Sequence, residues 1–220
     1  CGGHRHDVQH LDGEIGRPSD PDVVSTSFGV RALLSAAGLE SSYRETARSA
    51  ESFLVEDMNY RETDAGALMD YYVSQAPDTT VVNAAAIGGR TLLDIYAATG
   101  EQRLLERGEA VLDHVVSLQA PNGGWHYMDP PEKSHLGMDN HHNGFVIESL
   151  LRHREVVGDG RYAGALDDGL AFYRRELFED DGAPKFEPDS PYPRDVHAAA
   201  QGILTFTYAG EYELAERILG

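Results

Sequence analysis

The densest group of polar side chains in the sequence is the run Asp139-Asn140-His141-His142-Asn143. An aspartate close to a histidine can position a general acid or base that works near neutral pH. His141 and His142 are adjacent, so on a helix their side chains point about 100° apart. We therefore expect only one of them to face a given site. We favour His142, with Asp139 either orienting it or acting directly.

A second pair of the same type lies near the C-terminus, where Asp195 is followed by His197. We predict His197 as a further acid–base residue, with Asp195 orienting it or acting directly. Asn83 and Asn143 are predicted to hydrogen-bond a substrate. The alternative is purely structural, because Asp and Asn are also preferred N-caps of helices.

Aromatic side chains accompany these residues along the chain. Trp125, the only tryptophan, follows a Pro-Asn-Gly-Gly turn sequence, and Tyr127 comes two residues later. Trp125 is either a packing anchor between helical hairpins or, together with Tyr127, a platform for a sugar ring or an apolar ligand. Tyr192, just before Asp195, is either a residue at the mouth of a site or an anchor for its loop.

A metal site is an alternative use of the same side chains. His135, Asp139 and His142 carry ligand atoms of the types that zinc binds. The usual pair of histidines at positions i and i+4 of a helix is absent here, so we predict neither a metal nor another cofactor. The nucleophile elbow of serine hydrolases and the phosphate-binding loop are also absent from the sequence.

Four similar segments supply the elements that must position these residues. They begin near Val23, Thr80, Asp139 and Arg194. Each is predicted to be a helical hairpin, and equivalent leucines recur about every 58 residues, a period typical of repeat proteins. The first helix is apolar on nearly every side, which indicates burial all round, and the second is amphipathic.

This repeated pattern predicts an all-α fold. The expected architecture is an α/α toroid or an incomplete arc of one, with a short α-solenoid as the alternative. We expect an irregular segment over residues 1–22 and one toroid domain over 23–220. The inner helices begin with polar residues, so a toroid would bring their N-termini to a shared central cavity, where the helix dipoles favour an anionic ligand.

Single glycines interrupt the inner helices at Gly29, Gly88, Gly89 and Gly144. Each would cost about 1 kcal/mol relative to alanine in an isolated helix. Close packing of neighbouring helices is the expected compensation.

The composition excludes several classes of function. The chain has 37 acidic and 18 basic residues, a net charge of -19, and only two of the basic residues are lysines. Such a surface is typical of a halophilic protein and disfavours nucleic acids and anionic membranes as partners. One cysteine excludes internal disulfides, and no apolar run is long enough to span a membrane. We expect a cytoplasmic protein, and the sequence leaves its oligomeric state open.

Two resemblances add to this interpretation. Gln119 to Trp125 resembles the Gln-x-x-x-Gly-x-Trp signature of terpenoid cyclases and protein prenyltransferases, which are α/α toroids. Residues 23–28, 81–85, 139–148 and 195–201 together look like a toroid family of the six-hairpin-glycosidase type. That family is associated with surface-polysaccharide gene clusters and is similar to the C-terminal helical region of uronate epimerases.

The second resemblance implies a carbohydrate-active protein that acts on, or binds, an acidic or complex glycan. The reaction would be hydrolysis, β-elimination or epimerisation. The alternatives are a non-catalytic scaffold that binds glycans or proteins, and a toroid that binds an isoprenoid. A complete six-hairpin toroid is longer than this chain, so we expect an incomplete arc of hairpins.

Overall fold

The computed structural model describes residues 2–3, 8–9, 15–16, 20–73, 75 and 78–220. The predicted irregular segment over 1–22 therefore lies mostly outside the described residues. Within it, strand β1 (Gly2–Gly3) pairs antiparallel with β4 (Pro21–Asp22), and β2 (Val8–Gln9) pairs with β3 (Ile15–Gly16). The chain divides into two compact units, residues 1–117 and 118–220.

Four helices lie within the described residues of the first unit. They are α1 (Val23–Ser35), α2 (Ser41–Ser52), α3 (Val82–Thr99) and α4 (Gln102–Ser117). A π-helical turn, Phe53–Asp57, continues α2, and the strands of this unit after it are β5 (Arg61–Thr63), β6 (Gly66–Leu68) and β7 (Thr80–Val81). β5 and β6 form an antiparallel hairpin.

Helices α3 and α4 form the hairpin that the sequence predicts. Every residue from Val82 to Ile95 is buried, as expected for a helix that is mostly apolar on all sides. The charged residues in this stretch, Arg90 and Asp94, pair with each other one turn apart. In α4 the buried residues recur at helical spacing, as expected for an amphipathic outer helix. Gly100 ends α3 in the left-handed conformation (φ 75°), a common helix stop for glycine.

The second unit contains two hairpins. Its elements are β8 (Met128–Asp129), a 3-10 turn (Pro131–Lys133), α5 (Asn140–Val156), α6 (Ala163–Glu176), α7 (Val196–Ala209) and α8 (Tyr212–Leu219). Helix α5 is the central helix of this unit and packs against both α6 and α7. Long loops over 120–138 and 178–193 precede α5 and α7, so both helices begin at the end of a loop.

Buried polar side chains hold α6 and α7 in register on α5. The Gln201 amide of α7 donates to Glu148 Oε2 at 2.9 Å, and both side chains are buried. Nearer the start of α5, Tyr173 Oη of α6 donates to Asn140 Oδ1 at 3.0 Å. Asn140 Nδ2 in turn donates to the carbonyl of Leu177, the C-cap of α6, at 2.6 Å. Because an unpaired buried polar group costs free energy, these contacts limit how far α6 and α7 can slide along α5.

The helical glycines do not all serve close packing. At Gly144 a Cβ would overlap Cγ of Gln201 and lie 2.7 Å from Oη of Tyr173. Gly88 and Gly89 are also closely packed, so the expected compensation is confirmed at these three positions. At Gly29 nothing in the described part of the chain lies within 4 Å of an added Cβ, so there the expectation is wrong.

This contrast predicts opposite effects of the same substitution. Gly144→Ala should lower the free energy of unfolding by about 1–3 kcal/mol, because the added methyl must displace hydrogen-bonded side chains. Gly29→Ala should raise it by about 0.5–1 kcal/mol, since alanine restricts the unfolded chain and meets no clash. Urea denaturation of the two variants measures both changes. Equal shifts in the same direction would contradict the packing argument.

Candidate functional site

The two predicted Asp–His pairs occupy the same position on two helices of the second unit. Asp139 is the N-cap of α5, and its carboxylate accepts a hydrogen bond from the His142 backbone N–H at 3.1 Å. Nδ1 of the His142 ring lies 2.8 Å from Oδ1 and 2.9 Å from Oδ2 of the same carboxylate. Asp139 is buried, whereas the His142 side chain is 25% exposed. Capping and imidazole orientation, which the sequence left as alternatives, are therefore combined in one carboxylate.

Asp195 repeats this arrangement at the start of α7. It accepts a hydrogen bond from the His197 backbone N–H at 2.9 Å and lies 3.0 Å from Nδ1 of the His197 ring. Burial raises the pKa of Asp195, but the hydrogen bonds from the backbone and ring of His197 lower it by more, so the net pKa is below its ordinary value. Asp195 is thus held as a carboxylate, the form that accepts both bonds.

Each carboxylate leaves one ring nitrogen available for chemistry. With Nδ1 held by Asp139 or Asp195, the opposite nitrogen, Nε2, points away from the carboxylate. An imidazole oriented in this way can take up or release a proton near neutral pH. The arrangement places two oriented imidazoles at the N-terminal ends of two helices.

His141 lies close to both pairs. Its ring centre is 5.2 Å from that of His142 and 5.7 Å from that of His197. The expectation that only one of the adjacent histidines faces a given site stays a prediction. Helix α7 brings His197 close to His141, and the ring of Phe145 lies 4.7 Å from the His141 ring.

The ionisation of His141 differs from that of an exposed histidine. Burial lowers its pKa below the ordinary value of 6.5, and nearby His142 lowers it further. Asp139 and Asp195 act in the opposite direction, and His197 again lowers the pKa. The outcome is a neutral imidazole at pH 7 close to two imidazoles that carry carboxylate partners.

Tyr127 is the aromatic residue that contacts this cluster. Its ring centre lies 4.6 Å from that of His142 and 5.2 Å from that of His135. The loop that carries it is tied back by a hydrogen bond from the Tyr127 backbone N–H to the Gly137 carbonyl at 2.9 Å. Tyr127 therefore forms one side of the His142 environment, and its predicted contact with substrate stays a prediction.

Asn143 and Trp125 are bound to each other rather than aimed outward. The Trp125 backbone N–H donates to Asn143 Oδ1 at 2.8 Å, and Asn143 Nδ2 donates to the Trp125 and Asp139 carbonyls, both at 2.9 Å. The Trp125 side chain is 1% exposed and packs over Gly169. Of the alternatives for Trp125, this environment favours the packing anchor, and Asn143 positions the Trp125 segment against α5.

Two of the predicted residues remain, Tyr192 in the loop before α7 and Asn83 in the other unit. Tyr192 is 68% exposed, with the Arg194 guanidinium 5.7 Å from its ring centre. Asn83 lies on α3 in the first unit, where it is buried and its Oδ1 has no hydrogen-bond partner among the described residues. Their roles in substrate binding stay predictions.

The alternative metal site does not assemble. In the described part of the chain, His135, Asp139 and His142 do not bring one ligand atom each within 4.8 Å of one another. The Asp139 carboxylate is instead directed at the backbone and ring of His142.

Comparison with known proteins identifies the fold. No family model matches the sequence, and no match is found among curated proteins. The structure is similar to cellobiose 2-epimerase from Bacillus thermoamylovorans (TM-score 0.72, 14% identity). It is also similar to a family 76 α-mannanase from Bacteroides thetaiotaomicron (TM-score 0.67, 14% identity) and to a polysaccharide lyase (TM-score 0.64, 13% identity). The fold is of the α/α-toroid, glycosidase-like class.

The α/α-toroid prediction is thereby confirmed. The alignments cover 98%, 97% and 90% of this chain but 64%, 62% and 60% of the respective structures. The chain thus spans less than two thirds of the length of these proteins. Among the described residues, none of the helices combines the length and apolar composition that a membrane span requires.

Proposed function

We propose that this protein is a carbohydrate-active enzyme that transfers protons at a carbon atom of a sugar, with epimerisation as its reaction. His142 and His197 are the acid–base pair, and Asp139 and Asp195 orient them. The observation that carries the proposal is that both imidazoles are held through Nδ1 by a capping carboxylate and that their ring centres lie 5.2 and 5.7 Å from that of His141.

The engagement of the carboxylates favours proton transfer over glycoside hydrolysis. Hydrolysis generally uses two carboxyl groups that act directly on the glycosidic bond or on water. Here Asp139 and Asp195 are each bonded to a backbone N–H and an imidazole, so they serve as orienting groups. The groups left to exchange protons with a substrate are the two histidines.

The chemistry starts at a carbon next to a carbonyl or carboxylate, where the C–H bond is acidic enough to be broken. One imidazole removes this proton through Nε2, and the electron pair moves onto the neighbouring oxygen. The other imidazole returns a proton to the opposite face of the carbon, which inverts its configuration. Loss of a leaving group from the adjacent carbon instead would give β-elimination, so the same first step serves a lyase.

The ends of α5 and α7 suit the negative charge that this step creates. Helix N-termini carry partial positive charge, which stabilises anions nearby. Both histidines lie in the first turn of their helices. This supports a substrate that is acidic or becomes anionic during the reaction, such as a uronic-acid oligosaccharide or a reducing sugar in its open form. We propose Tyr127 and Tyr192 as its aromatic contacts.

Deuterium exchange tests the proposal even while the product is unidentified. We expect the protein, incubated in D2O with uronic-acid and neutral oligosaccharides, to place deuterium on one carbon of at least one sugar, with the epimer accumulating. Proton NMR of the recovered sugars measures this. The matched control is the same sugar with its carbonyl or carboxylate reduced, which should not exchange because its C–H bond is no longer acidic.

The other outcomes have distinct meanings. An unsaturated product that absorbs in the ultraviolet would indicate β-elimination. Release of shorter sugars without deuterium on carbon would indicate hydrolysis and contradict the proposal. A sugar that raises the melting temperature but never exchanges would identify a binding scaffold.

A further inference from the structure

Nδ1 of His141 is buried and has no hydrogen-bond partner among the described residues. This separates His141 from His142 and His197, whose Nδ1 atoms are both held by carboxylates. The His141 residue as a whole is nonetheless partly exposed. The ring therefore turns Nδ1 towards the protein, while other atoms of His141 stay accessible, close to His142 and His197.

This orientation decides which nitrogen carries the proton. A neutral imidazole has one N–H donor and one acceptor nitrogen. Burying a donor without an acceptor is costly and rare, whereas an under-used acceptor is better tolerated. Nδ1 of His141 therefore holds the lone pair, and the proton resides on Nε2.

We propose that His141 is a third substrate-contacting residue, a neutral imidazole whose Nε2–H donates a hydrogen bond to the sugar oxygen that gains negative charge. The proposal rests on the proposed function, since that oxygen neighbours the carbon that loses its proton. No covalent bond to His141 forms or breaks, and its own proton stays on Nε2. His142 and His197 carry out the transfer.

The surroundings of His141 keep it suited to this role. The charged and titratable groups that act on it are His142, Asp139, Asp195 and His197, and their combined effect with burial is a lowered pKa. A neutral imidazole cannot exchange roles with the two bases at pH 7, because it does not accept a second proton there. Neutral histidine is a known means of polarising a substrate carbonyl.

Nitrogen NMR tests the assignment without any substrate. Long-range proton–nitrogen correlation spectra distinguish the two tautomers and the imidazolium, and the spectrum of a His141→Gln variant identifies the His141 signals. We expect the Nε2–H tautomer at pH 7, with protonation of His141 only below pH 6.5. An Nδ1–H tautomer, or an imidazolium at pH 7, would overturn the proposal.

Three variants test the contact with substrate through the deuterium exchange rate. His141→Phe keeps a ring but no donor, and we expect the rate to fall about 10²–10³-fold, as for loss of one oxyanion donor. His141→Gln places an amide N–H near the position of Nε2 and should retain activity within about tenfold of the wild-type rate. His141→Asn places its amide near Nδ1 and should behave like His141→Phe. Wild-type rates in the Phe variant, or equal rates in the Gln and Asn variants, would overturn the proposal.

Failure of the proposed function is distinguishable from failure of this inference. If the wild-type protein places no deuterium on any sugar, the proposed function fails. The nitrogen spectrum still shows which nitrogen of His141 carries the proton. If the wild-type protein exchanges a sugar and His141→Phe does so equally well, only the inference about His141 fails. Melting temperatures of the three variants control for loss of folding.

Discussion

His142→Ala is expected to lower the rate of proton exchange at the sugar carbon by about 10²–10⁴-fold, the usual contribution of a general acid or base. The fold should be retained, because the His142 side chain is 25% exposed and its cap bond to Asp139 uses the backbone N–H. Deuterium incorporation measured at saturating sugar, together with the melting temperature, checks both parts. An active His142→Ala protein would contradict the assignment of His142 as an acid–base residue.

Asp139→Asn is the matched variant that separates orientation from capping. Asparagine caps helices about as well as aspartate, so α5 should begin at the same residue with little change in stability. It lacks the negative charge and can present an N–H to His142 Nδ1, which favours the wrong tautomer. We expect a loss of rate of the same order as for His142→Ala. Unchanged activity in Asp139→Asn would mean that the carboxylate serves only as a cap.

Trp125→Ala is expected to lower the free energy of unfolding by about 3–5 kcal/mol, the usual cost of removing a large buried aromatic side chain. Trp125 is 1% exposed, and a Cβ at Gly169 would lie 2.9 Å from its ring, so α6 packs directly against it. Its backbone makes two hydrogen bonds with the Asn143 side chain: the Trp125 N–H donates to Oδ1, and the Trp125 carbonyl accepts from Nδ2. Urea denaturation monitored by circular dichroism measures the loss.

The same variant distinguishes the two roles considered for Trp125. If Trp125 is a packing anchor, Trp125→Ala lowers the free energy of unfolding. Trp125→Phe then restores part of that loss, because phenylalanine refills much of the volume. If Trp125 is a sugar platform, both variants keep the stability of the wild-type protein and lose sugar binding. The loss of binding is then smaller in Trp125→Phe, which keeps an aromatic ring. The second pattern would contradict the packing role that the buried ring indicates.

Local sequence rules predict a large part of the fold. The apolar composition of α3 indicates burial on every side, and Thr99-Gly100 indicates its end; both are found. Asp139 and Asp195 are recognisable as N-caps because Asp is a preferred cap residue before an apolar helix. These features depend on interactions within a few residues of the chain, which the sequence displays directly.

The arrangement of the histidines could not be predicted in the same way. Helix geometry predicts the angle between the side chains of His141 and His142, but it cannot predict the position of His197. His197 comes close to His141 because α7 packs on α5. The buried Nδ1 of His141 likewise depends on what surrounds the ring. A short run of polar residues containing two histidines was the available signal, and it did not distinguish their roles.

Gly29 and Trp125 show the same limit in packing. Gly29 shares its helical setting with Gly144, yet only Gly144 faces a neighbouring helix at close range. Trp125 follows a turn sequence that suits either an exposed platform or an anchor, and its burial depends on Gly169, which lies 44 residues further along the chain. Whether such residues are closely packed is determined by contacts between segments that are distant in the sequence.

The most direct test of the central claim is the rate of deuterium incorporation into sugar by the wild-type protein, His142→Ala, His197→Ala and the double variant. If the two oriented histidines work as one unit, each single variant loses most of the activity and the double variant is little slower than either. Exchange at the wild-type rate in a protein that lacks either histidine would contradict the claim.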